Sequence, residues 1–218
     1  MSSKVPGEDP APGKQPSSGR RALQAQQTHR DILAAARSLF AAKGYAGTTL
    51  KDVAREAVVS VQTIYDSVGG KADLLRSLND HITSEAGIAE ISRAVGQEAD
   101  PAVLIRIPAR ITRQLVERCG DILRAVQAGS LAEPELAPVL AEGQRRHRDG
   151  TAGVARRLCE LGALRAGVSE ADASTTIAAL ADFRLAIVLL DEFGLDSDRL
   201  EDWIATTTAR AVLAPDDC

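Results

Sequence analysis

Two short amphipathic segments, separated by a few residues and each preceded by a hydroxyl side chain, constrain the fold of this chain more than any other feature. The first segment, LKDVAREA, follows Thr49, and its apolar residues recur at the spacing of one helix face. Thr49 is a suitable N-cap, and Asp52 stands at the third helical position, where it completes a variant of the capping box. The pattern therefore predicts a helix of about two turns that begins after Thr49.

The second segment lies within AVVSVQTIY, which starts at Ala57 and whose β-branched residues first suggest a strand. The valine pair is too short for a strand, and no strand with alternating polarity lies nearby. Ser60 is instead suited to be a second N-cap. The sequence therefore predicts another short helix, over residues 61–68.

This second helix has distinct inner and outer faces. Ile64 and Val68 are four residues apart, so they lie on one face and can pack on the preceding helices. The polar residues left on the outside are Gln62, Thr63, Tyr65 and Asp66. Two short helices joined by a tight turn, with polar residues outward, form a helix-turn-helix.

Longer helices are predicted on both sides of this motif. Upstream, an apolar stripe at helical spacing runs from Ile32 to Phe40 in a helix that starts near Thr28 and ends at Gly44. Downstream, two glycines stop the second short helix, and a long helix starts at Lys71 with its leucines on one side. The sequence therefore predicts four consecutive helices between Thr28 and Ile82.

Composition favours an all-α protein with one or two domains. The 218 residues are rich in alanine, leucine, arginine and glutamate, which favour helices, and only 3% are aromatic. No run approaches the ~20 apolar residues of a membrane span, and the N-terminus lacks the apolar core of a secretory signal. We therefore expect a cytoplasmic protein with no membrane partner. Cys119, Cys159 and Cys218 are isolated in the sequence, which favours reduced thiols over a redox or metal site.

The net charge of −4 conceals an uneven distribution. Residues 1–76 carry 11 Lys and Arg against 7 Asp and Glu, whereas residues 77–218 carry 15 against 23. A basic first third joined to an acidic remainder indicates that the first third meets a polyanion. Solvated surface charge would give the same numbers, so the charge supports this hypothesis without deciding it.

The remaining sequence divides the chain into three parts. Residues 1–26 are rich in Pro, Gly, Ser and Gln and are predicted to be a disordered basic arm. Residues 27–76 form the helix-turn-helix domain, and residues 77–218 form a further helical domain. The helices predicted in that last part are 101–119, 121–131, 135–164 with a possible break near Gly150, 170–193 and 197–213.

The segment from Thr28 to Ile82 resembles the DNA-binding domain of the TetR family of transcriptional regulators. The motif residues present, in order, are Ile32, Ala35-Ala36, Leu39-Phe40, Gly44-Tyr45, Thr48-Thr49-Leu50, Val53-Ala54, Val59-Ser60, Thr63-Ile64-Tyr65, Lys71 and Leu74. The resemblance implies an all-α fold in which an N-terminal three-helix DNA-binding domain precedes a helical ligand-binding and dimerisation domain. It also implies a homodimer that binds a palindromic operator and is released by a small-molecule effector.

Three positions depart from the family pattern. Val58 stands where the family usually has glycine in the turn, and a β-branched residue resists positive φ. Ser67 replaces the usual His or Tyr, which would remove a phosphate contact. Val68 replaces the usual Phe and is a smaller core residue. Together these changes leave the motif in place but favour altered affinity or docking.

The expected DNA contacts lie on the second short helix and at the two helix starts beside it. Gln62 carries an amide that can bond adenine N6 and N7 together. Val61 could touch a thymine methyl group or could pack in the core with Ile64. Lys51 could reach a base or a phosphate. The residues expected to contact the DNA backbone or to start the recognition helix are Thr49, Ser60, Thr63, Tyr65 and Lys71.

The second half is expected to supply the dimer and the ligand site. The run LAIVLLDEF from Leu185 is apolar nearly all round, so it must be buried on more than one side. Candidate interface residues, each of which could also be ordinary core, are Leu180, Phe183, Ile187, Leu190, Trp203, Ile204 and Ala211. By resemblance, the helices of residues 101–164 enclose a cavity. Four basic residues could meet an anion there or could lie on the surface: Arg106, Arg110, Arg113 and His147.

These observations predict a regulator, most often a repressor in this family, rather than an enzyme. The sequence has no G-x-S-x-G, H-E-x-x-H or G-x-G-x-x-G motif, and its three histidines lack metal-ligand spacing. We therefore expect no catalytic residue, metal or cofactor. The alternative is a family-like helical scaffold with weakened DNA readout that acts through protein contacts.

Overall fold

The computed structural model describes residues 18–85, 93–129 and 134–215, and no β-strand occurs among them. A 3₁₀ turn, Pro134–Leu136, precedes the sixth helix. The predicted all-α class is confirmed. The helices are α1 Ser18–Lys43, α2 Leu50–Glu56, α3 Val61–Ser67, α4 Lys71–Glu85, α5 Pro101–Gly129, α6 Ala137–Glu160, α7 Glu170–Leu180, α8 Phe183–Asp191 and α9 Ser197–Val212.

Both predicted caps of the helix-turn-helix are present. The Thr49 side chain accepts a hydrogen bond from the Asp52 backbone N–H, and the Asp52 carboxylate accepts one from the backbone of Thr49. The Ser60 hydroxyl accepts one from the Thr63 N–H at 3.0 Å. These bonds satisfy N–H groups that the first turn of a helix leaves unpaired. The predicted starts of α2 and α3 are therefore confirmed.

Helix α1 begins earlier than the sequence predicted. It starts at Ser18 rather than near Thr28, so residues 18–26 are helical and not part of a disordered arm. Residues 19–27 are exposed, and arginine, alanine, leucine and glutamine there favour a helix. An apolar stripe marks only the part of a helix that packs on a core, which is why the pattern missed this solvated extension. The rest of the arm, residues 1–17, lies outside the described residues.

Helix α5 is continuous where the sequence predicted two helices. It runs through Gly120, which is buried in the packed part of the helix. A glycine inside a helix costs only about 1 kcal/mol relative to alanine, so packing outweighs its tendency to end the helix. The possible break near Gly150 is also absent, because α6 runs without interruption from Ala137 to Glu160.

The helix predicted over residues 170–193 is divided in two. Asp182 has an extended backbone, and its side chain accepts a hydrogen bond from the Arg184 N–H at 2.8 Å, so it caps a new helix. Cap formation by aspartate thus ends α7 and starts α8. No single helix in the described ranges is long and apolar enough to span a membrane. Helices α7 and α8, which meet at a bend of 41°, have that length and apolarity only when they are taken together.

Two hydrophobic cores meet at α5. The first core is built on the N-terminal helices, with Ile32, Phe40 and Ile64 fully buried. Cys119 and Ile122 of α5 belong to this same core. The second core joins the other side of α5 with α6, α7, α8 and α9. Helix α5 therefore connects the helix-turn-helix to the rest of the protein by direct packing.

Candidate nucleic-acid interface and cavity

Helix α3 presents a polar face to solvent over a fixed apolar base. Ile64 is fully buried, whereas Gln62 and Asp66 are exposed and 53% of Tyr65 is accessible. Val61 is partly buried and packs against the N-terminal core, as the core alternative for this residue predicted. The helix is thus held from beneath while its outer side chains remain available to a partner.

Gln62 is already held by a neighbour on the same helix. Its Nε2 donates a hydrogen bond to Oδ1 of Asp66 at 2.8 Å. The amide has two N–H donors and a carbonyl acceptor, so one donor and the acceptor stay free in this arrangement. These are the two groups that a bidentate contact with adenine requires. This role of Asp66 was not predicted, although its four-residue spacing from Gln62 is a usable signal in the sequence.

The hydroxyl groups at the starts of α2 and α3 form hydrogen bonds with neighbouring residues of the same helix start. Thr63 Oγ1 lies 2.8 Å from the Ser60 hydroxyl. The Thr49 hydroxyl donates to the Asp52 carboxylate at 2.7 Å, and these Thr49 bonds lower the pKa of Asp52 from 3.8 to about 2. An anion at the N-terminus of α2 is favourable for the helix. Lys51, two residues after Thr49, is exposed.

Lys71 is positioned by an aromatic ring. Its ammonium nitrogen lies 4.1 Å from the ring centroid of Tyr45, which is itself 1% exposed. The Tyr45 ring packs at 5.3 Å from that of Phe40. A cation held over a buried ring keeps its charge at a defined place. Lys71 therefore holds a positive charge at a defined position at the start of α4, beside the helix-turn-helix.

The three departures from the family pattern have different structural outcomes. Val58 adopts a φ of +54° and is 90% exposed, so the turn retains the glycine-like conformation and is strained. The Ser67 hydroxyl lies 3.3 Å from Nδ1 of His29, which directs it toward α1. Val68 is partly buried against the N-terminal core. The motif thus keeps its shape with a strained turn.

A cavity of about 440 Å³ lies between the helices of the second half. Helices α5 and α6 form most of its wall, as the resemblance implied. Helix α4 adds Leu75 and Asn79, and the junction between α7 and α8 adds Ala181, Asp182 and Phe183. The cavity therefore touches the same helix that starts at Lys71. Its size falls within the range typical of small-molecule sites.

Most of the basic residues proposed for the cavity lie elsewhere. Three arginines of α5 face α9 and lie within 4 Å of the buried Glu201: Arg106, Arg110 and Arg113. The surface alternative applies to them, because α5 and α9 pack side by side and bring these charges together. His147 does line the cavity, and its Nε2 lies 2.8 Å from the carbonyl oxygen of Ala178.

The candidate dimer residues are divided among different environments in the single chain. Ile187 and Ile204 are buried by this chain alone, and Phe183 lines the cavity. Leu180 and Leu190 are partly buried. Trp203 is 38% exposed, and Ala211 is exposed. The two exposed residues both lie on α9 and remain available to a second subunit.

Comparison with known proteins follows the same division of the chain. Residues 32–78 match the family model described as "Bacterial regulatory proteins, tetR family". No curated protein sequence matches the chain. The match therefore covers the helix-turn-helix and the first part of α4, where the motif residues lie.

Solved structures match over nearly the whole chain. SmeT in complex with triclosan superposes with a TM-score of 0.72 at 22% identity, over 88% of this chain and 95% of SmeT. SmeT is the repressor of the Stenotrophomonas maltophilia multidrug efflux pump SmeDEF. NalD, the secondary repressor of the MexAB-OprM multidrug efflux pump in Pseudomonas aeruginosa, gives 0.70 at 20% identity, over 88% of this chain and 98% of NalD.

A protein from Saccharomonospora viridis with a transcriptional regulator fold was solved in complex with choline. Its structure superposes on this chain with a TM-score of 0.68 at 20% identity, over 87% of this chain and 99% of that protein. At these identities the structures establish the fold, and the family model identifies the sequence of the helix-turn-helix. The resemblance predicted from the motif residues is thus confirmed: the chain carries a TetR-family helix-turn-helix at residues 32–78 within a TetR-like all-helical fold.

Proposed function

We propose that this protein is a ligand-responsive transcriptional repressor that binds a palindromic DNA operator as a homodimer. The observation that carries the proposal is the outer face of α3, where Gln62 and Tyr65 are exposed above the fully buried Ile64. A recognition helix works in this way, because its outer residues enter the major groove while its inner face packs on the domain. The DNA-binding domain would span residues 27–76 and the regulatory domain residues 77–218, in the cytoplasm.

The contacts with DNA divide into base readout and phosphate binding. Gln62, held by Asp66, presents one N–H and its carbonyl to an adenine. Tyr65 and Lys71 reach phosphates from either end of the surface and fix the register of the helix. Further contacts with the DNA backbone come from the starts of α2 and α3. The residues that make them are Thr49, Lys51, Ser60 and Thr63. Val61 packs against the core, so it supports the helix and contributes little to readout.

A homodimer would place two recognition helices about 34 Å apart, or somewhat more, on one face of the duplex. The exposed Trp203 and Ala211 on α9, with Leu180 and Leu190, are the interface residues that the single chain leaves accessible. Repression is supported by SmeT and NalD, which are repressors of efflux pumps.

Release by a small molecule is supported by the cavity and by its contact with α4. Leu75 and Asn79 line the cavity from the helix whose first residue is Lys71. A ligand that binds better to one position of α4 would shift the spacing of the two recognition helices away from the operator. Complexes of similar folds with triclosan and with choline support a small-molecule effector.

Selection of bound sequences from a random double-stranded DNA pool tests the proposal, at about 0.15 M salt because phosphate contacts depend on salt. The wild type is expected to enrich a palindrome. Gln62→Ala should relax one base position in each half-site, whereas Tyr65→Ala should weaken binding to all sequences. Arg148→Ala, on the exposed side of α6, is the matched control and should behave as wild type.

Failure to enrich any site, with or without ligand, would contradict the proposal and favour the scaffold alternative. The strained turn at Val58 is the observation that supports that alternative, since it lies between the two helices that must dock together. A Val58→Gly variant that recovers an enriched site would assign the defect to the turn.

A further inference from the structure

We propose that the cavity accepts an uncharged, largely apolar molecule carrying one hydroxyl or similar neutral polar group, which Gln144 and His147 of α6 recognise. This inference rests on the proposed role of the cavity as the effector site.

The charged residues of the cavity wall are already paired with other protein groups. Arg146 binds Glu142 at 2.7 Å and Asp80 at 3.1 Å. Asp149 is paired with Arg145 at 2.8 Å. These pairs have their own partners on the protein, so a ligand charge would have to compete with an existing ion pair.

Asp182 is the acidic group set deepest in the wall, with a side chain that is 16% exposed. Burial opposes its ionisation, but the hydrogen bonds from Arg184 outweigh burial and lower the pKa of Asp182. Arg184 donates to one carboxylate oxygen at 2.8 Å and to the other at 2.6 Å. The carboxylate is therefore ionised and neutralised from within the chain, so it offers a cationic ligand no free counter-ion.

The wall's hydroxyl groups are likewise turned toward the backbone. Thr112 lies within hydrogen-bond distance of the carbonyl oxygens of Pro108 and Ala181, at 3.0 and 2.7 Å. Thr151 lies 3.0 Å from the carbonyl oxygen of His147. Each hydroxyl has a single proton, so these threonines have none to offer a ligand while the bonds persist.

Two neutral groups on α6 remain available to a ligand. Among the described residues, the Gln144 side chain makes no hydrogen bond, and it lines the cavity. His147 lies three residues later on the same helix face and uses Nε2 for the carbonyl of Ala178. In the neutral ring the Nε2 proton makes Nδ1 an acceptor. A ligand hydroxyl can donate to Nδ1 of His147 and accept from the amide of Gln144.

The rest of the wall is apolar and favours a ligand that matches it. Among its apolar residues are Leu75, Ile107, Ile111, Leu115, Val139 and Phe183. An unpaired charge in such surroundings loses its hydration without replacement, whereas a neutral hydroxyl needs only one or two bonds. A charge on the ligand should therefore lower its affinity more than the loss of the hydroxyl would.

Three probes of one carbon framework test this inference: 4-phenylphenol, biphenyl-4-carboxylate and biphenyl-4-yl-trimethylammonium. Titration calorimetry on the full-length protein at pH 7.5 measures each affinity, since a phenol with a pKa of about 10 stays neutral there. We expect 4-phenylphenol to bind at least about tenfold more tightly than either charged probe. Equal or tighter binding of a charged probe would overturn the inference, as would no binding of 4-phenylphenol up to its solubility limit.

Two variants assign the recognition to the named residues. Gln144→Leu replaces the amide with an apolar side chain of similar size, and we expect it to weaken 4-phenylphenol binding by about three- to tenfold, the effect of one neutral hydrogen bond. His147→Phe should have a similar effect, and its thermal unfolding reports any cost of losing the bond to Ala178. Arg148→Ala is the exposed control on the same helix. Unchanged binding by folded Gln144→Leu and His147→Phe would overturn the assignment.

The failure of this inference is distinguishable from failure of the proposed function. Calorimetry contains no DNA, so a preference for a charged probe refutes the ligand class while operator binding by the wild type still stands. Absence of an operator with normal selection among the probes would instead contradict the regulator and leave the ligand class supported.

Discussion

Arg37 of α1 and Asp121 of α5 form a two-pronged ion pair, with Arg37 Nε 3.0 Å from Oδ2 and Nη2 3.1 Å from Oδ1. Arg37 also donates to the carbonyl oxygen of Arg118. Paired planar groups of this kind fix orientation as well as distance. The contact therefore fixes the first helix, α1, against the longest helix, α5.

Removal of this pair should loosen the connection between the two cores. Arg37→Ala is expected to lower the free energy of unfolding by about 1 kcal/mol, a modest value because both side chains are 34% exposed. Urea unfolding at pH 7.5 measures the change. Arg76→Ala, which breaks a pair with Asp73 inside α4 alone, is the control and should cost less. Equal losses in the two variants would show that the connection between helices adds nothing.

The strained turn should respond to glycine. Val58→Gly relieves a positive φ of +54° at a residue that is 90% exposed, so little packing is lost. We expect a gain of about 0.5–1 kcal/mol after the entropy of glycine is subtracted, or about 1–4 °C in Tm. Differential scanning calorimetry measures it. Val58→Ala keeps most of the strain and should gain less, and a lower Tm for Val58→Gly would refute strain at this turn.

Asp66 should act on DNA binding in two separable ways. Asp66→Ala removes a negative charge that would face the phosphates, so affinity for all DNA should rise. The same change frees Gln62 from its 2.8 Å bond, so discrimination at one base position should fall. Asp66→Asn removes the charge but keeps an oxygen for Gln62, and should raise affinity without the loss of discrimination. Fluorescence anisotropy with matched and single-mismatch operators measures both effects.

Acid should weaken the start of α2. The pKa of Asp52 in the folded protein is about 2, below its ordinary 3.8, chiefly because of the hydrogen bonds from Thr49. A carboxylate with a lowered pKa stabilises the fold above its unfolded pKa and loses that contribution as pH falls through the folded one. Stability should therefore decline between about pH 4 and pH 2. Asp52→Asn should show a smaller decline in urea unfolding across that window, and an identical decline would contradict the assignment.

Glu201 should be the most sensitive acidic residue of the α5–α9 contact. Its side chain is 12% exposed, with Arg113 at 3.4 Å. Glu201→Gln is expected to cost about 1–3 kcal/mol, because it leaves charged donors facing a neutral group. Asp202→Asn, at a 66% exposed position that pairs with Arg106, is the control and should cost less than half as much. Chemical unfolding of both variants measures the difference.

The parts of the fold that local chemistry determines were predictable from the sequence. Thr49, Ser60 and Ser169 each cap a helix through bonds to residues three positions away, so the starts of those helices could be read directly. Asp182 also caps a helix, yet it stands inside an apolar stretch that predicts a single continuous helix. The cap signal there was present but was outweighed by the hydrophobic pattern.

The cavity was predictable only as a location. The resemblance placed it among the helices of residues 101–164, but which polar groups remain available depends on distant partners. His147 bonds a carbonyl 31 residues away, and Arg106 pairs with a residue 96 positions away. No periodicity carries such information, because these pairs form only when the helices pack. The α3 contacts with DNA remain predictions from the sequence that the exposed face supports.

The shared core at α5 also limits how this protein can be recombined. Cys119, Ile122 and Ala125 are buried in the same cluster as the helices of the helix-turn-helix, although they follow it by more than forty residues. In a hybrid protein joined after residue 76, foreign side chains would replace Cys119, Ile122 and Ala125. The helix-turn-helix would then lack the residues that complete its hydrophobic core. The two halves are therefore not interchangeable: joining this helix-turn-helix to the second half of another protein requires the matching face of α5 as well.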